Sequence, residues 1–172
     1  KYMIKYIEIK KSYREAKIRN FKNTTCLLYK SMIKTINKQK SLFEILESNK
    51  LLKIYFDIEK IPRDQTNLIY DIIGDLKRWF ANKTNLNIGN YILTFNEQSC
   101  NHEGLSYHLI FYEWCAYQSE ILNLLNNFLE DHQEYVTFMD GSVYSNNRLF
   151  KSIHQIGINK KNCLSQFEND MH

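Results

Sequence analysis

Glycine and proline are scarce, at five and one among 172 residues. That excludes a collagen-like or low-complexity chain and leaves no flexible linker that would divide it. No apolar run approaches the roughly 18 residues that would cross a membrane, and no signal peptide appears in these residues, so a soluble protein without a membrane partner is expected. The four cysteines, Cys26, Cys100, Cys115 and Cys163, form no C-x-x-C pair. Cys100 and His102 make only a lone C-x-H, short of the spacing of a structural zinc site, and free thiols in a reducing compartment are the simpler reading. A Walker A phosphate loop is missing too. The chain begins at Lys1 rather than Met, so a piece of a longer protein is expected.

Acids are thin in the first third. Residues 1–53 hold 14 Lys and Arg against 4 Asp and Glu, a balance of +10, whereas residues 54–172 hold 9 against 15, or −6. A basic flank beside an acidic centre suits a protein that holds a polyanion and binds cations elsewhere, although a basic stretch is as often a solvated face. What is plentiful is apolar: 44% hydrophobic and 14% aromatic residues, enough to bury one core.

Patterning predicts a strand over Tyr2–Ile9 and a helix over Ser31–Asn49 with Ile33, Ile36, Leu42, Ile45 and Leu46 inward. A strand follows at "LKIYFDIEK" (Leu52–Lys60). Thr66 is expected to cap a helix whose inner face is Leu68, Ile69, Ile72, Ile73, Leu76, Trp79 and Phe80. Strands at Tyr91–Glu97 and Leu105–Trp114 come next. Ser119 is expected to cap a second helix, with Ile121, Leu122, Leu124, Leu125, Phe128 and Leu129 inward, and "GSVYSNNRLFKSI" (Gly141–Ile153) is expected to open with a short strand. From Leu52 onward the order is βαββαβ, which predicts an α+β, RNA-recognition-motif-like core over residues 51–172 with a basic N-terminal extension over residues 1–50 packed on it.

Two carboxylates interrupt the strand at Leu52–Lys60. Asp57 and Glu59 stand two positions apart and so share a face with Tyr55, while Ile54, Phe56 and Ile58 take the other. Solvated acids on an open sheet face are one reading. The other is a divalent cation between them, since hard Mg²⁺ or Mn²⁺ requires clustered oxygen ligands, and Asp140 offers a third carboxylate just ahead of the last strand. Ser106 and His108 share a strand face in "GLSYHLIFY", a hydroxyl and an imidazole suited to phosphate or sugar oxygens. Asn147, Arg148, Lys151 and, further on, Lys160 supply donors and cations for a triphosphate.

The ordered set of h-D-h-E, S-x-H and "VYSNNRLFK" resembles the archaeo-eukaryotic primase superfamily, in particular primase-polymerases and the primases of large DNA viruses. The resemblance runs from Asp57 to about Lys160. It implies a nucleotidyltransferase that joins an NTP or dNTP to a 3′-hydroxyl on a single-stranded DNA template. Asp57, Glu59 and Asp140 would hold two catalytic Mg²⁺ or Mn²⁺ ions. Ser106 and His108 would meet the incoming nucleotide, and Asn147, Arg148, Lys151 and Lys160 would line its triphosphate pocket. It further implies an intracellular protein at a site of DNA replication, with a helicase as fused or separate partner. Lys151 stands where family members commonly have Arg, and the closing Ser-Lys element is displaced to "HQIGINK". Two alternatives remain open: an inactive single-strand-binding module, and a DEDD-type 3′–5′ exonuclease, which also starts from "FDIE" but should add a later Tyr or His with an acid on a helix.

Overall fold

A computed structural model describes residues 3–8, 25–28, 42–85, 87–95, 104–146, 148–151 and 165–169. It is a mixed α/β structure. In chain order the elements are β1 (Met3–Glu8), β2 (Thr25–Leu28), β3 (Leu42–Leu46), β4 (Leu51–Ile61), α1 (Leu68–Thr84), β5 (Tyr91–Phe95), β6 (Leu105–Tyr117), α2 (Gln118–Asp131), β7 (Arg148–Lys151) and β8 (Ser165–Asn169). Two short 3₁₀ turns, Gln133–Tyr135 and Gly141–Val143, lie between α2 and β7. One sheet runs β4-β6-β5-β8 and the other β2-β1-β3-β7.

The first of these sheets carries the core. On β4, Ile54, Phe56 and Ile58 are buried, and on β6 so are Leu105, Tyr107, Leu109 and Phe111. Both strands keep the alternation expected of a sheet with helices on one side. Leu93 of β5 adds to this surface, which packs with Ile69, Ile72, Leu76 and Phe80 of α1 and Ile121, Leu125 and Phe128 of α2 in one cluster. Of the inner positions expected on α1, all are buried except Leu68, which is half-buried. On the helical side, the Trp79 indole donates to Asp131 Oδ2 at 2.8 Å and the Tyr135 hydroxyl to Asp75 Oδ2 at 2.6 Å. Buried and half-buried donors thereby find acceptors, as they must.

Several local expectations are corrected. Within the expected helix at Ser31–Asn49, residues Leu42–Leu46 are instead a strand, paired with β1 on one side and β7 on the other. "LFEIL" is too short for its period to decide, and two-sided pairing supplied by distant segments does. Residues 31–41 lie outside the described residues. Thr66 does not cap α1: Asn67 holds the cap position, without a side-chain hydrogen bond. Nor does Ser119 cap α2, which starts at Gln118 and whose Glu120 carboxylate accepts from the Tyr117 amide at 2.7 Å. Gly141 opens a 3₁₀ turn rather than a strand, with Asp140 accepting from the Ser142 amide.

The expected last strand departs most. β7 does not return beside β4 but joins β3 in the other sheet. The place beside β4 is taken by a single antiparallel bridge, Ile58 to Met139, closed by Glu59 N–H to Phe138 O at 2.7 Å and Asp140 N–H to Asp57 O at 3.0 Å. Three residues thus stand where a full strand was expected.

Candidate metal centre

That bridge builds the site. Backbone bonds on both sides of Ile58 clamp residues 138–140 against β4, so Asp140 arrives beside Asp57 and Glu59 although 83 positions separate it from Asp57 in the chain. One carboxylate oxygen from each of the three lies within 4.8 Å of the others. The oxygens around one octahedral cation stand about 3 to 4 Å apart, so this spacing is the right size for one.

A β-bulge assists. Ile58 faces Tyr107 and Ile61 faces Leu105, so β4 carries one residue more than β6 across this interval. Lys60 absorbs the excess at φ 62°, in the left-handed region. Bulges of this kind turn a strand end and re-aim its side chains. Across from it, Gly104 has φ +135°, and a Cβ there would stand 2.7 Å from the Ile61 carbonyl oxygen, a distance only glycine avoids.

Asp57 is the electrostatic centre of the cluster. Its side chain is 11% exposed, and Oδ1 is buried with no hydrogen-bond partner. Burial, then Glu59, then Asp140 push its pKa from 3.8 to about 7, against the lowering influence of Arg148. Asp140 is oriented by its own turn: Oδ1 accepts from the Ser142 amide and Oδ2 from the Ser142 hydroxyl, both at 2.8 Å. Each oxygen retains a lone pair for another partner. An orphaned, buried carboxylate oxygen facing two further carboxylates is a costly arrangement for a metal-free protein and a fitting one for a hard divalent ion.

The S-x-H face meets the acids in register. His108 of β6 pairs directly with Asp57 of β4, and Thr94 of β5 is the partner of His108 on its other side. His108 Nε2 stands 3.6 Å from Asp57 Oδ1, close but beyond a hydrogen bond. Ser106 is buried two residues earlier on the same face. Arg148 opens β7 with its charge felt at Asp57. Of the expected site residues, the structure therefore gathers Asp57, Glu59, Asp140, His108 and Arg148, with Ser106 on the adjoining face. Asn147 and Lys160 lie outside the described residues, as does the side chain of Lys151, whose backbone is in β7.

Sequence reasoning missed the support behind this face. Tyr55 is only 3% exposed because Tyr144 lies against it, ring centroids 5.1 Å apart, and the Tyr144 hydroxyl donates to the Tyr55 carbonyl at 2.6 Å. Gln118, buried at the start of α2, had no signal in the pattern, because a polar residue at a helix N-terminus reads as exposed. Comparison with known proteins adds no identification: no protein-family model and no curated protein sequence matches the chain.

Proposed function

We propose that this chain is the catalytic module of a primase-polymerase-type nucleotidyltransferase acting on a nucleoside triphosphate and a single-stranded DNA template. The observation that carries the reading is the cluster of Asp57, Glu59 and Asp140, with Asp57 Oδ1 buried and unpartnered and His108 directly across the ladder. Binding a polyanion alone gains nothing from three gathered carboxylates, which would repel it. The strand order Met139-β4-β6-β5, antiparallel throughout, supports an RNA-recognition-motif-like core with the fourth strand cut to one bridge.

Asp57, Glu59 and Asp140 would hold Mg²⁺ or Mn²⁺, which when bound lower the pKa of an attacking 3′-hydroxyl and offset charge on the leaving pyrophosphate. The chain's own groups do the rest. His108 sits beside Asp57 with an imidazole that can donate to a phosphate oxygen. Arg148 presents a guanidinium that can grip phosphate oxygens in two places, with its charge acting on Asp57. Ser106 adds a hydroxyl on the same face. Asn147, Lys151 and Lys160 are assigned to the triphosphate pocket from the motif alone. A helicase partner and a location at sites of DNA replication belong to the same proposal.

Primer extension tests it. A labelled primer on a single-stranded template, with Mg²⁺ or Mn²⁺ and NTPs or dNTPs, is expected to lengthen with the wild type and not with Asp57→Ala. Shortening of the primer would establish the exonuclease instead. Unchanged primer, with DNA bound and no metal-dependent nucleotide binding, would leave a binding module.

A further inference from the structure

Between Asp140, fixed on β4, and Arg148, the first residue of β7, the described segment 141–146 leads away from β4, and its course helps to set where the guanidinium lies. Two contacts fasten it to Tyr55, the residue two positions before Asp57 on the same face. The Tyr144 hydroxyl donates to the Tyr55 carbonyl at 2.6 Å. Gln118, itself only 2% exposed, reaches from the first turn of α2 and donates through Nε2 to the Ser145 carbonyl at 3.1 Å, and more weakly to the Tyr55 hydroxyl at 3.4 Å.

The Ser145 carbonyl is a pivotal acceptor. It also receives the Arg148 amide at 3.1 Å, which closes the turn that launches β7. Gln118 therefore holds one anchor of the Arg148 backbone, the other being its pairing with Leu46 of β3, and neither Gln118 nor Ser145 carries charge. An amide is the suitable grip here: it adds a donor without adding to the field around Asp57, where a lysine or arginine would compete with bound metal. Tyr55 thus receives one contact from Gln118 through its hydroxyl and one from Tyr144 through its carbonyl.

We infer that Gln118 is a positioning residue for the nucleotide's phosphates, acting through the Ser145 carbonyl to steady Arg148 near the three carboxylates. The assignment rests on the proposed nucleotidyltransferase reading. It predicts that losing the Gln118 donor weakens nucleotide binding while the carboxylates still bind metal normally.

The experiment is a double-mutant cycle with Gln118→Met and Arg148→Met, reading affinity for fluorescent ATP and dATP in Mn²⁺, and affinity for Mn²⁺ alone. Gln118→Met is expected to weaken the nucleotide by roughly 3- to 10-fold, the net worth of one hydrogen bond, and to leave Mn²⁺ affinity unchanged. In the Arg148→Met background the same change is expected to cost nothing further. Tyr144→Phe, which removes the second fastening and keeps the ring, serves if Gln118→Met does not fold, and is expected to follow the same pattern. An equal penalty in both backgrounds, a parallel loss of Mn²⁺ affinity, or no penalty at all overturns the assignment while wild-type nucleotide binding upholds the reading beneath it. A wild type that binds Mn²⁺ but no nucleotide overturns both.

Discussion

Replacing Asp57 by Asn should stabilise the metal-free protein, and the size of the effect should depend on pH in a defined way. A rise in pKa from 3.8 to about 7 amounts, at about 1.4 kcal/mol per tenfold, to about 4 kcal/mol held against the folded state once the group is ionised. Below about pH 4 the carboxyl is protonated in both folded and unfolded chains, and the penalty is absent. Between about pH 4 and 7 the unfolded chain releases the proton and the folded one keeps it, so folding loses up to about 1.4 kcal/mol per pH unit. Above about pH 7 the loss is complete and constant. Asn does not titrate, and its amide can donate to Glu59 or Asp140, so the variant should escape most of it. Urea unfolding in EDTA, followed by the fluorescence of buried Trp79, should therefore show a gap of only about 0.6 kcal/mol at pH 4 and a gap of about 2 to 4 kcal/mol favouring Asp57→Asn at pH 8. Mn²⁺ at a hundred times its Kd should then raise the wild type by about 2.7 kcal/mol and leave the variant unmoved. A gap of the same size at pH 4 and pH 8, or a variant less stable than wild type at pH 8 in EDTA, would refute the account of Asp57 as a strained, cation-seeking group.

Other outcomes follow from particular contacts. Arg148→Met should weaken nucleotide binding by about 10- to 100-fold, the worth of a charge-assisted phosphate contact, in an equilibrium titration with Mn²⁺. Gly104→Ala should cost about 2 to 3 kcal/mol in denaturant unfolding, since the new Cβ meets the Lys60–Ile61 backbone, whereas Lys60→Gly at φ 62° should be neutral or stabilise by up to about 1 kcal/mol. Tyr135→Phe should lose about 1 to 2 kcal/mol with the bond from its hydroxyl to Asp75 and leave Mn²⁺ affinity as it was.

What the sequence revealed was whatever depends on near neighbours. Alternation along Leu52–Lys60 separated Ile54, Phe56 and Ile58 from Tyr55, Asp57 and Glu59, and the structure keeps that division. Helical spacing likewise marked the buried side of α1. Boundaries set by one hydrogen bond were less legible: Thr66 and Ser119 have the right chemistry for caps, but the chain turned at Asn67 and Tyr117. Least legible were pairings between distant segments. Nothing in "LFEIL" says that β1 and β7 will flank it, and nothing near Asp140 says that a single bridge at Met139 will replace a strand. The candidate acids were found by residue type and spacing, but Gln118 becomes visible only when the carbonyl it serves has a position.

The two sheets divide the site between two stretches of chain. Asp57, Glu59, Asp140 and His108 are all placed by residues 51–140, through the β4–β6 ladder and the bridge at Met139. Arg148 is held in addition by β7 pairing with β3, Arg148 against Leu46, which lies ahead of that stretch. A chain trimmed to begin at Leu51 should therefore keep its affinity for Mn²⁺ and lose most of its affinity for a triphosphate.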